Sequence, residues 1–292
     1  MDYCIGGHYV TIEVDGDDSF LDTLLPSFVP FKTTHEKGAP RLFTLRLERR
    51  LKMLPAEGKR LITEADTGNG VIKVERTADG RYQLLIHTLR GLPCALLITS
   101  PQFGDCRCAI RGDLSVKRFA LNSVMMLTYA FSAAFHDTLL VHASVVRHSG
   151  RAYAFTAESG TGKSTQVANW LKTIEGCDLV NDDNPIIRLV GGQPMLYGSP
   201  WSGKTACYRN IRVPLGAVLK ITRDTVNRVE PLKPVDAFAM LLTSCSTIRS
   251  DEEIYRRMCD TVSSLLSKVT MARLHCLPDA ASAQVCRRFL EE

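Results

Sequence analysis

The sequence predicts an α/β protein, α+β overall, in which a β-rich domain (residues 1–112) precedes an α/β domain (residues 113–292). Two observations carry this prediction. The first part of the chain alternates short runs of β-forming residues with turn signals, whereas from about residue 114 strand-like runs alternate with helical ones. A chain of 292 residues is long enough for two domains, and 45% hydrophobic with 23% charged residues is ordinary for a folded globular protein.

Charge and composition exclude several classes of protein. Lys plus Arg number 36 against 31 acidic residues, and the net charge of +5 is scattered without basic tracts, which argues against a nucleic-acid partner. No apolar run approaches the ~18–20 residues that span a bilayer, and no signal peptide opens the chain, so we expect a cytoplasmic protein without a membrane partner. The ten cysteines form no CxxC pair, which favours reduced, buried thiols over disulfides or a zinc site.

In the first domain, four runs have strand character: HYVTIEV, RLFTLRLE, GVIKVERT and RYQLLIHTL. The pair Asp79-Gly80 between the last two predicts a hairpin. We therefore expect a mostly antiparallel sheet. Because no motif associated with chemistry occurs here, this domain is interpreted as a lid, a partner-binding module or a substrate-facing module.

In the second domain, apolar residues at spacings of three and four predict a helix over 115–135. Further along, the sequence predicts a continuous strand at 138–146, a strand at 151–157, a helix at 163–175 and a strand at 177–181. This order of strand, loop, helix and strand is typical of a βαβ unit. Gly191-Gly192 predicts another hairpin, 213–222 a long strand, and the C-terminal part three helices: 234–245, 253–269 and 278–292.

The loop between the strand at 151–157 and the following helix carries the clearest motif. Residues 157–165 read AESGTGKST, which matches GxxxxGK[ST] except that Ala157 replaces the first glycine. Backbone N–H groups of such a loop converge on phosphate oxygens, Lys163 neutralises the β- and γ-phosphates, and the Ser164 hydroxyl ligates Mg²⁺. A plain glycine-rich turn is the alternative. The residues predicted to bind ATP here are Glu158, Ser159, Gly160, Thr161, Gly162, Lys163, Ser164 and Thr165.

Three further features stand near this loop. Asp182 and Asp183 follow an apolar strand, where carboxylates can hold Mg²⁺ or accept a proton from an attacking hydroxyl, although a turn at the strand end would also suit NDDNP. His142 lies within an apolar run, where a histidine is more often part of the core. The stretch GSPWSGK, which ends at Lys204, is interpreted either as a loop that closes on a ligand or as a plain surface loop.

The order of these motifs resembles the catalytic domain of the HPr kinase/phosphorylase family, which has a PEP-carboxykinase-type P-loop fold. The resemblance is carried by His142, by the run 158–164 and by the aspartate pair 182–183, in that order. It implies that Lys163 contacts phosphate, that Ser164 and Asp182 bind the metal, and that Asp183 is the proton acceptor. It further implies that His142 supports the phosphate or metal site and that Lys204 faces the nucleotide phosphates or the acceptor.

The activity expected from this resemblance is an ATP- and Mg²⁺-dependent kinase that transfers the γ-phosphate to a hydroxyl group. The acceptor would be a serine in a protein or peptide, or a small hydroxylated molecule. The alternative is a non-catalytic nucleotide-binding regulatory module. The signature of the reverse, phosphorylase reaction is not found in the sequence, and a homo-oligomer is compatible with the resemblance but not indicated by the residues themselves.

Overall fold

The computed structural model describes residues 1–158 and 160–291, and its contacts divide the chain into two compact units. The first unit comprises Met1–His136 with Thr247–Tyr255, and the second comprises Asp137–Ser246 with Arg256–Glu292. Each unit contains one sheet together with helices, so the prediction of an α+β chain is confirmed. None of the described helices is long and apolar enough to cross a bilayer.

The first unit is built on an eight-stranded sheet with the order β1-β2-β3-β8-β7-β6-β5-β4. Two neighbouring pairs, β2–β3 and β3–β8, are parallel and the others are antiparallel, which confirms the predicted mostly antiparallel sheet. The hairpin predicted at Asp79-Gly80 joins β5 and β6. The strands are β1 (Asp2–Ile5), β2 (His8–Val14), β3 (Arg41–Leu47), β4 (Lys59–Asp66), β5 (Gly70–Thr77), β6 (Tyr82–Thr88), β7 (Pro93–Thr99) and β8 (Asp105–Ile110).

Helix α2 (Leu114–Ala133) covers one face of this sheet and packs against β3, β7 and β8; a shorter helix, α1 (Phe20–Leu24), precedes it in the chain. The Asp113 carboxylate caps α2 by accepting a hydrogen bond from Val116 N at 2.9 Å. Of the residues predicted to form its apolar face, Leu121, Val124, Met125, Thr128 and Phe131 are buried, whereas Phe135 lies beyond the end of α2 and is only partly buried. By its contacts, α2 belongs to the unit that contains residues 1–136. The domain boundary at residue 112 that the sequence indicates stays a prediction.

The second unit is built on a nine-stranded sheet. Its central part has the order β12-β10-β11-β15-β17-β16, and β14, β13 and β9 continue from the start of β15. The predicted hairpin at Gly191-Gly192 joins β13 and β14. The strands are β9 (Thr138–Leu140), β10 (Ala143–His148), β11 (Arg151–Thr156), β12 (Asp178–Asp183), β13 (Ile186–Val190), β14 (Gln193–Tyr197), β15 (Arg212–Arg223), β16 (Arg228–Pro231) and β17 (Thr270–Cys276).

The helices that follow in the chain are α3 (Lys163–Thr173), α4 (Pro234–Ser244), α5 (Glu252–Leu266) and α6 (Ala280–Glu291). Helix α3 packs on the central strands through Trp170, whose ring centroid lies 5.5 Å from that of Tyr153 and 5.8 Å from that of Phe155. Helices α3 and α6 lie side by side, and Asn169 Nδ2 donates to Asp279 O at 2.7 Å. This packing fixes the start of α3 relative to the ends of the central strands.

The prediction of one continuous strand over 138–146 is wrong. The chain breaks at Val141 and His142, so that β9 pairs with β13 while β10 pairs with β11 and β12. The break is stabilised from outside the segment, since His142 N donates to Ser244 O at 2.7 Å and Val141 forms a bridge with Cys245. His142 therefore lies just before β10 rather than inside a strand.

Candidate active site

The topology of the second unit brings the predicted site residues to one edge of its sheet. Strands β11 and β12 each run antiparallel to β10, which lies between them, so β11 and β12 run in the same direction. The C-terminal ends of β11 and β12 and the N-terminal end of β10 consequently lie at the same edge, which we call the carboxyl edge. The glycine loop (residues 157–165) leaves β11 there, Asp182 and Asp183 end β12, and His142 precedes β10.

At two positions, the backbone of the glycine loop has a conformation that only glycine adopts easily. Gly160 has φ of +78° and Gly162, the residue before α3, has φ of +129°. A Cβ at either position would meet open space, so backbone conformation rather than crowding requires glycine there, and the loop surface at both glycines is free for a ligand. Of the predicted binding residues, Glu158 is exposed and its carbonyl accepts from Thr161 N at 3.1 Å, while Ser159 lies outside the described residues.

Arg223, at the end of β15, holds the glycine loop from one side. Its NH2 group donates to Gly160 O at 2.6 Å and its Nε donates to Thr161 O at 3.2 Å. In a trans peptide the C=O and N–H groups point in opposite directions. Holding these two carbonyl oxygens therefore directs the N–H groups of the same peptides away from Arg223.

Lys163 is the first residue of α3, and its side chain folds back over the loop. Its Nζ donates to Ala157 O at 3.1 Å. Burial lowers the pKa of Lys163, and the carboxylates of Asp183 and Asp182 partly oppose this shift. Ser164 and Thr165, which follow it in the first turn, are exposed, so their hydroxyl groups are accessible beside the helix N-terminus.

The two aspartates at the end of β12 have different surroundings. Asp182 is 4% exposed, and both of its carboxylate oxygens already accept hydrogen bonds, from Ser144 Oγ at 2.6 Å and from Thr205 N at 3.1 Å. Asp183 exposes 38% of its side chain. Its Oδ1 lies 3.1 Å from His142 Nε2, and its Oδ2 accepts from Asn184 Nδ2 at 2.7 Å. Asp183 is therefore the carboxylate of the pair that an incoming group can reach.

The backbone at Asp183 is strained. Its φ is +135°, a region that residues with a Cβ rarely adopt and that costs about 1–3 kcal/mol. Strand β12 ends there, and Asp183 forms a bridge with Ser202. The surroundings hold this residue in an unfavourable conformation, which is a common feature of functional sites.

The segment 198–204, which we call the anchored loop, is fastened to the end of β12 by Asn181. This side chain is fully buried, and its Nδ2 donates to Ser199 O, Ser199 Oγ and Trp201 O at 3.2–3.4 Å. Its Oδ1 accepts from Asn184 N at 3.0 Å. One amide therefore fixes both the turn after Asp183 and the path of the anchored loop.

The two glycines of the anchored loop allow close approach of chain segments. A Cβ on Gly198 would lie 2.0 Å from Arg209 O, and one on Gly203 would lie 3.1 Å from both Asp182 O and the Asp183 Cβ. Gly203 N also donates to Asp182 O. Lys204 follows this contact and is exposed. The loop is thus part of the carboxyl edge and is not a free surface loop.

Sequence reasoning missed three residues that shape this edge: Ser144, Asn181 and Arg223. Ser144 stands two residues after His142, and the alternation of a strand would have placed both on one face. Asn181 belongs to the polar run NDDN, but nothing in the sequence indicates that its amide is buried. For Arg223 no local signal exists, because its contact with the glycine loop joins segments about sixty residues apart.

Comparisons with known proteins add little to this geometry. No protein-family model and no curated protein matches the chain. Among solved structures, the chain is similar to the HPr(Ser) kinase/phosphatase from Coxiella burnetii, with 10% identity and a TM-score of 0.30 over 51% of this chain and 95% of that one. A likeness of this size is distant and supports no conclusion about activity.

Proposed function

We propose that the second unit is an ATP- and Mg²⁺-dependent phosphotransferase that transfers the γ-phosphate to a hydroxyl group. One observation carries the proposal: two features lie at the same sheet edge. The first is the glycine loop, which leads into a helix that begins with Lys163. The second is the accessible carboxylate of Asp183, which lies 3.1 Å from His142. The loop supplies what a phosphate chain requires, and the carboxylate supplies a proton acceptor. We propose the PEP-carboxykinase-like P-loop fold for this unit on the same grounds.

The phosphates would lie on the glycine loop. Backbone N–H groups and the N-terminus of α3 attract anions, and the two glycines leave the loop surface open. Lys163 would exchange its bond to Ala157 O for one to a phosphate oxygen. Because burial weakens the solvation of its ammonium group, a phosphate is a favourable replacement partner.

The residues present fit a Mg²⁺ ion. Magnesium in nucleotide sites is held by one or two protein oxygens together with phosphates and water, so a cage of three or more carboxylates is not required. The exposed hydroxyl of Ser164 is such a ligand. A bound Mg²⁺ supplies charge neutralisation on the transferred phosphate. Asp182, predicted as a metal ligand, would have to share an oxygen that now accepts from Ser144 or Thr205, so we assign it chiefly to positioning.

In the proposed reaction, Asp183 accepts the proton of the acceptor hydroxyl. The hydroxyl oxygen forms a bond to the γ-phosphorus while the bond from this phosphorus to the β–γ bridging oxygen breaks, and ADP leaves with that electron pair. His142 orients the Asp183 carboxylate. Lys163, and Lys204 if the anchored loop brings it near, offset the negative charge on the transferred group. The acceptor is a serine in a protein or peptide, or a small hydroxylated molecule.

The experiment is transfer of label from γ-labelled ATP, in the presence of Mg²⁺, to a panel of free serine, an HPr-like protein and a cell extract. The wild type is compared with Lys163→Ala and with Lys172→Ala, which removes an exposed lysine of the same helix. We expect label in one class of acceptor, lost in Lys163→Ala and retained in Lys172→Ala. Nucleotide binding without any transfer that depends on Lys163 would contradict a kinase and favour a nucleotide-binding regulatory module.

A further inference from the structure

A cleft lies against the glycine loop on the side away from His142 and Asp183. Its volume is about 400 Å³, within the range of about 300–1,000 Å³ that is usual for small-molecule sites. The glycine loop and the first turns of α3 form one wall, and the ends of β15 and β17 form the other. The lining residues that matter below are Gln166, Ile221, Asp224, Leu277 and Pro278.

Gln166 is a buried polar side chain in the wall of this cleft. It is 2% exposed, and its Oε1 accepts a hydrogen bond from Ser282 Oγ at 2.8 Å. Among the described residues, none offers an acceptor within hydrogen-bond distance of its Nε2. A buried donor without a partner is unfavourable, because it has given up its hydrogen bonds to water. This nitrogen is itself buried, so it reaches an acceptor in the cleft only when the side chain rotates toward it.

Asp224 places a negative charge in the same cleft. Its Oδ1 accepts from Thr225 N at 2.7 Å, and its Oδ2 lies 3.0 Å from His275 Nδ1. The hydrogen bond from Thr225 N lowers the pKa of Asp224, and nearby Arg228 and His275 act in the same direction. Arg228 NH2 also lies 3.4 Å from Oδ2, so these partners hold the carboxylate in place and only its remaining lone pairs can accept from N–H or O–H donors of a ligand. Ile221, Leu277 and Pro278 add apolar surface for a flat ring.

The order of strands gives the direction of the ligand. The glycine loop follows β11; β10 and β12, with His142 and Asp183, lie to one side of β11, and β15 and β17 lie to the other. A molecule whose phosphate chain crosses the loop therefore has its two ends on opposite sides. One end reaches the proton acceptor and the other enters the cleft.

We propose that this cleft binds the nucleoside part of the nucleotide, with Gln166 hydrogen-bonded to the edge of the base. This inference rests on the proposed nucleotide-binding function and adds the orientation of the nucleotide: the terminal phosphate lies toward Asp183, and the base lies between the ends of β15 and β17. Gln166 is then a specificity-determining residue.

The first test needs only the wild type. Binding of Mg-ATP and of inorganic triphosphate with Mg²⁺ is measured by titration calorimetry. If the cleft holds the nucleoside, ATP binds at least about tenfold more tightly than triphosphate, which corresponds to about 1.4 kcal/mol. Equal affinity for the two would overturn the cleft proposal and leave the phosphate site intact. Absence of binding for both would overturn the proposed function as well.

The second test fills the cleft from its rim. Leu277 is 39% exposed, so Leu277→Trp places a bulky ring at the cleft without disturbing the core. We expect ATP affinity to fall at least about tenfold while triphosphate affinity stays within about twofold. Leu171→Trp, at a leucine of α3 that is 41% exposed and does not line the cleft, is the matched control. Unchanged ATP binding in Leu277→Trp, with binding still lost in Lys163→Ala, would overturn the proposal alone.

The third test concerns base recognition. Gln166→Met keeps the length of the side chain and removes its amide, and its thermal midpoint against the wild type checks folding. The ratio of ATP to GTP affinity is compared between the two proteins. If the amide reads the base, this ratio changes by at least about fivefold, since an unmade hydrogen bond costs of the order of 1 kcal/mol. An unchanged ratio in a folded variant would overturn the role of Gln166.

Discussion

Charged residues are paired differently on the sheet of the first unit and at the carboxyl edge of the second. In the first unit, arginines and glutamates of neighbouring segments neutralise one another: Arg46 Nε lies 2.9 Å from Glu13 Oε2, and Arg107 Nε lies 2.5 Å from Glu48 Oε1. At the carboxyl edge, Lys163 donates to a backbone carbonyl, and Asp183 contacts an imidazole and an amide.

The difference shows which charged side chains can still bind a ligand. An arginine and a carboxylate that already form a pair offer little to a ligand, and an exposed pair contributes only about 0–1 kcal/mol to stability. Lys163 and Asp183, in contrast, have partners that a phosphate and a hydroxyl can replace. The same residue types therefore have a structural role in one unit and a proposed chemical role in the other.

The largest expected effect is that of Asp183→Asn. This change removes the proton acceptor and keeps the side-chain shape, so we expect phosphate transfer to fall by about 10²–10⁴-fold, the usual contribution of a general base. Affinity for Mg-ATP should change by less than about fivefold, because Lys163 and the glycine loop remain. Label transfer and titration calorimetry measure the two quantities.

The matched control for this substitution is Glu13→Gln, which makes the same change from carboxylate to amide in the paired sheet of the first unit. Transfer in this variant should stay within about twofold of the wild type, since a paired surface carboxylate has little further effect. If Asp183→Asn retained full transfer, Asp183 would not be the base. If Glu13→Gln lost transfer to the same extent, the contrast between the two regions would be wrong.

The next effect is on stability, at Asn181. Asn181→Ala removes the buried amide that joins the anchored loop to the end of β12, so Ser199 O and Asn184 N lose their hydrogen bonds to this side chain. We expect a loss of about 2–3 kcal/mol in the free energy of unfolding. Urea unfolding followed by tryptophan fluorescence measures this, because both tryptophans, Trp170 and Trp201, are buried in the second unit. Asn210→Ala, at an exposed position, should be neutral.

Part of the fold and of the candidate site could be predicted from the sequence. The hairpins at Asp79-Gly80 and Gly191-Gly192, the helix after the glycine loop and the shared edge of β11 and β12 follow from local patterns of turn residues and hydrophobic spacing. These features depend on neighbours in the chain. They place the glycine loop and the aspartate pair correctly in relation to each other.

The features that could not be predicted depend on distant partners. An apolar run does not reveal where a strand changes neighbours, and the break at Val141 and His142 is fixed by contacts with Ser244 and Cys245. The insertion of β10 between β11 and β12 is likewise a property of the whole sheet. The different burial of Asp182 and Asp183 also follows only from the folded packing, because the sequence presents two identical residues.

A smaller effect is expected from the strained backbone at Asp183. Glycine adopts a φ of +135° without the clash of a Cβ, so Asp183→Gly should be more stable than Asp183→Ala by about 1 kcal/mol. Both variants lose the contacts of the carboxylate, so the comparison isolates the backbone. Thermal or urea unfolding followed by tryptophan fluorescence gives the difference. Equal or lower stability of the glycine variant would show that Asp183 is not strained.

The smallest effect concerns Asp178, a carboxylate of the second unit that is paired like those of the first. Its Oδ2 accepts from Arg147 NH2 at 2.6 Å and from Arg209 NH1 at 2.8 Å. Burial alone would raise the pKa of Asp178, but the hydrogen bonds from Arg147 and Arg209 outweigh it and hold the pKa below its ordinary 3.8. A carboxylate with a lowered pKa stabilises the fold above its ordinary pKa, and this contribution is lost as pH falls through the folded value.

Asp178→Asn should therefore be less stable than the wild type at pH 7, by less than about 1 kcal/mol because the pair is partly exposed and screened. This difference should shrink below about pH 4 and disappear once the wild-type carboxylate is protonated. Urea unfolding of both proteins from pH 7 to pH 3, followed by tryptophan fluorescence, measures it. A difference that stayed constant with pH would mean that Asp178 contributes through its shape and packing. Its role would then differ from that of the ion pairs in the first unit.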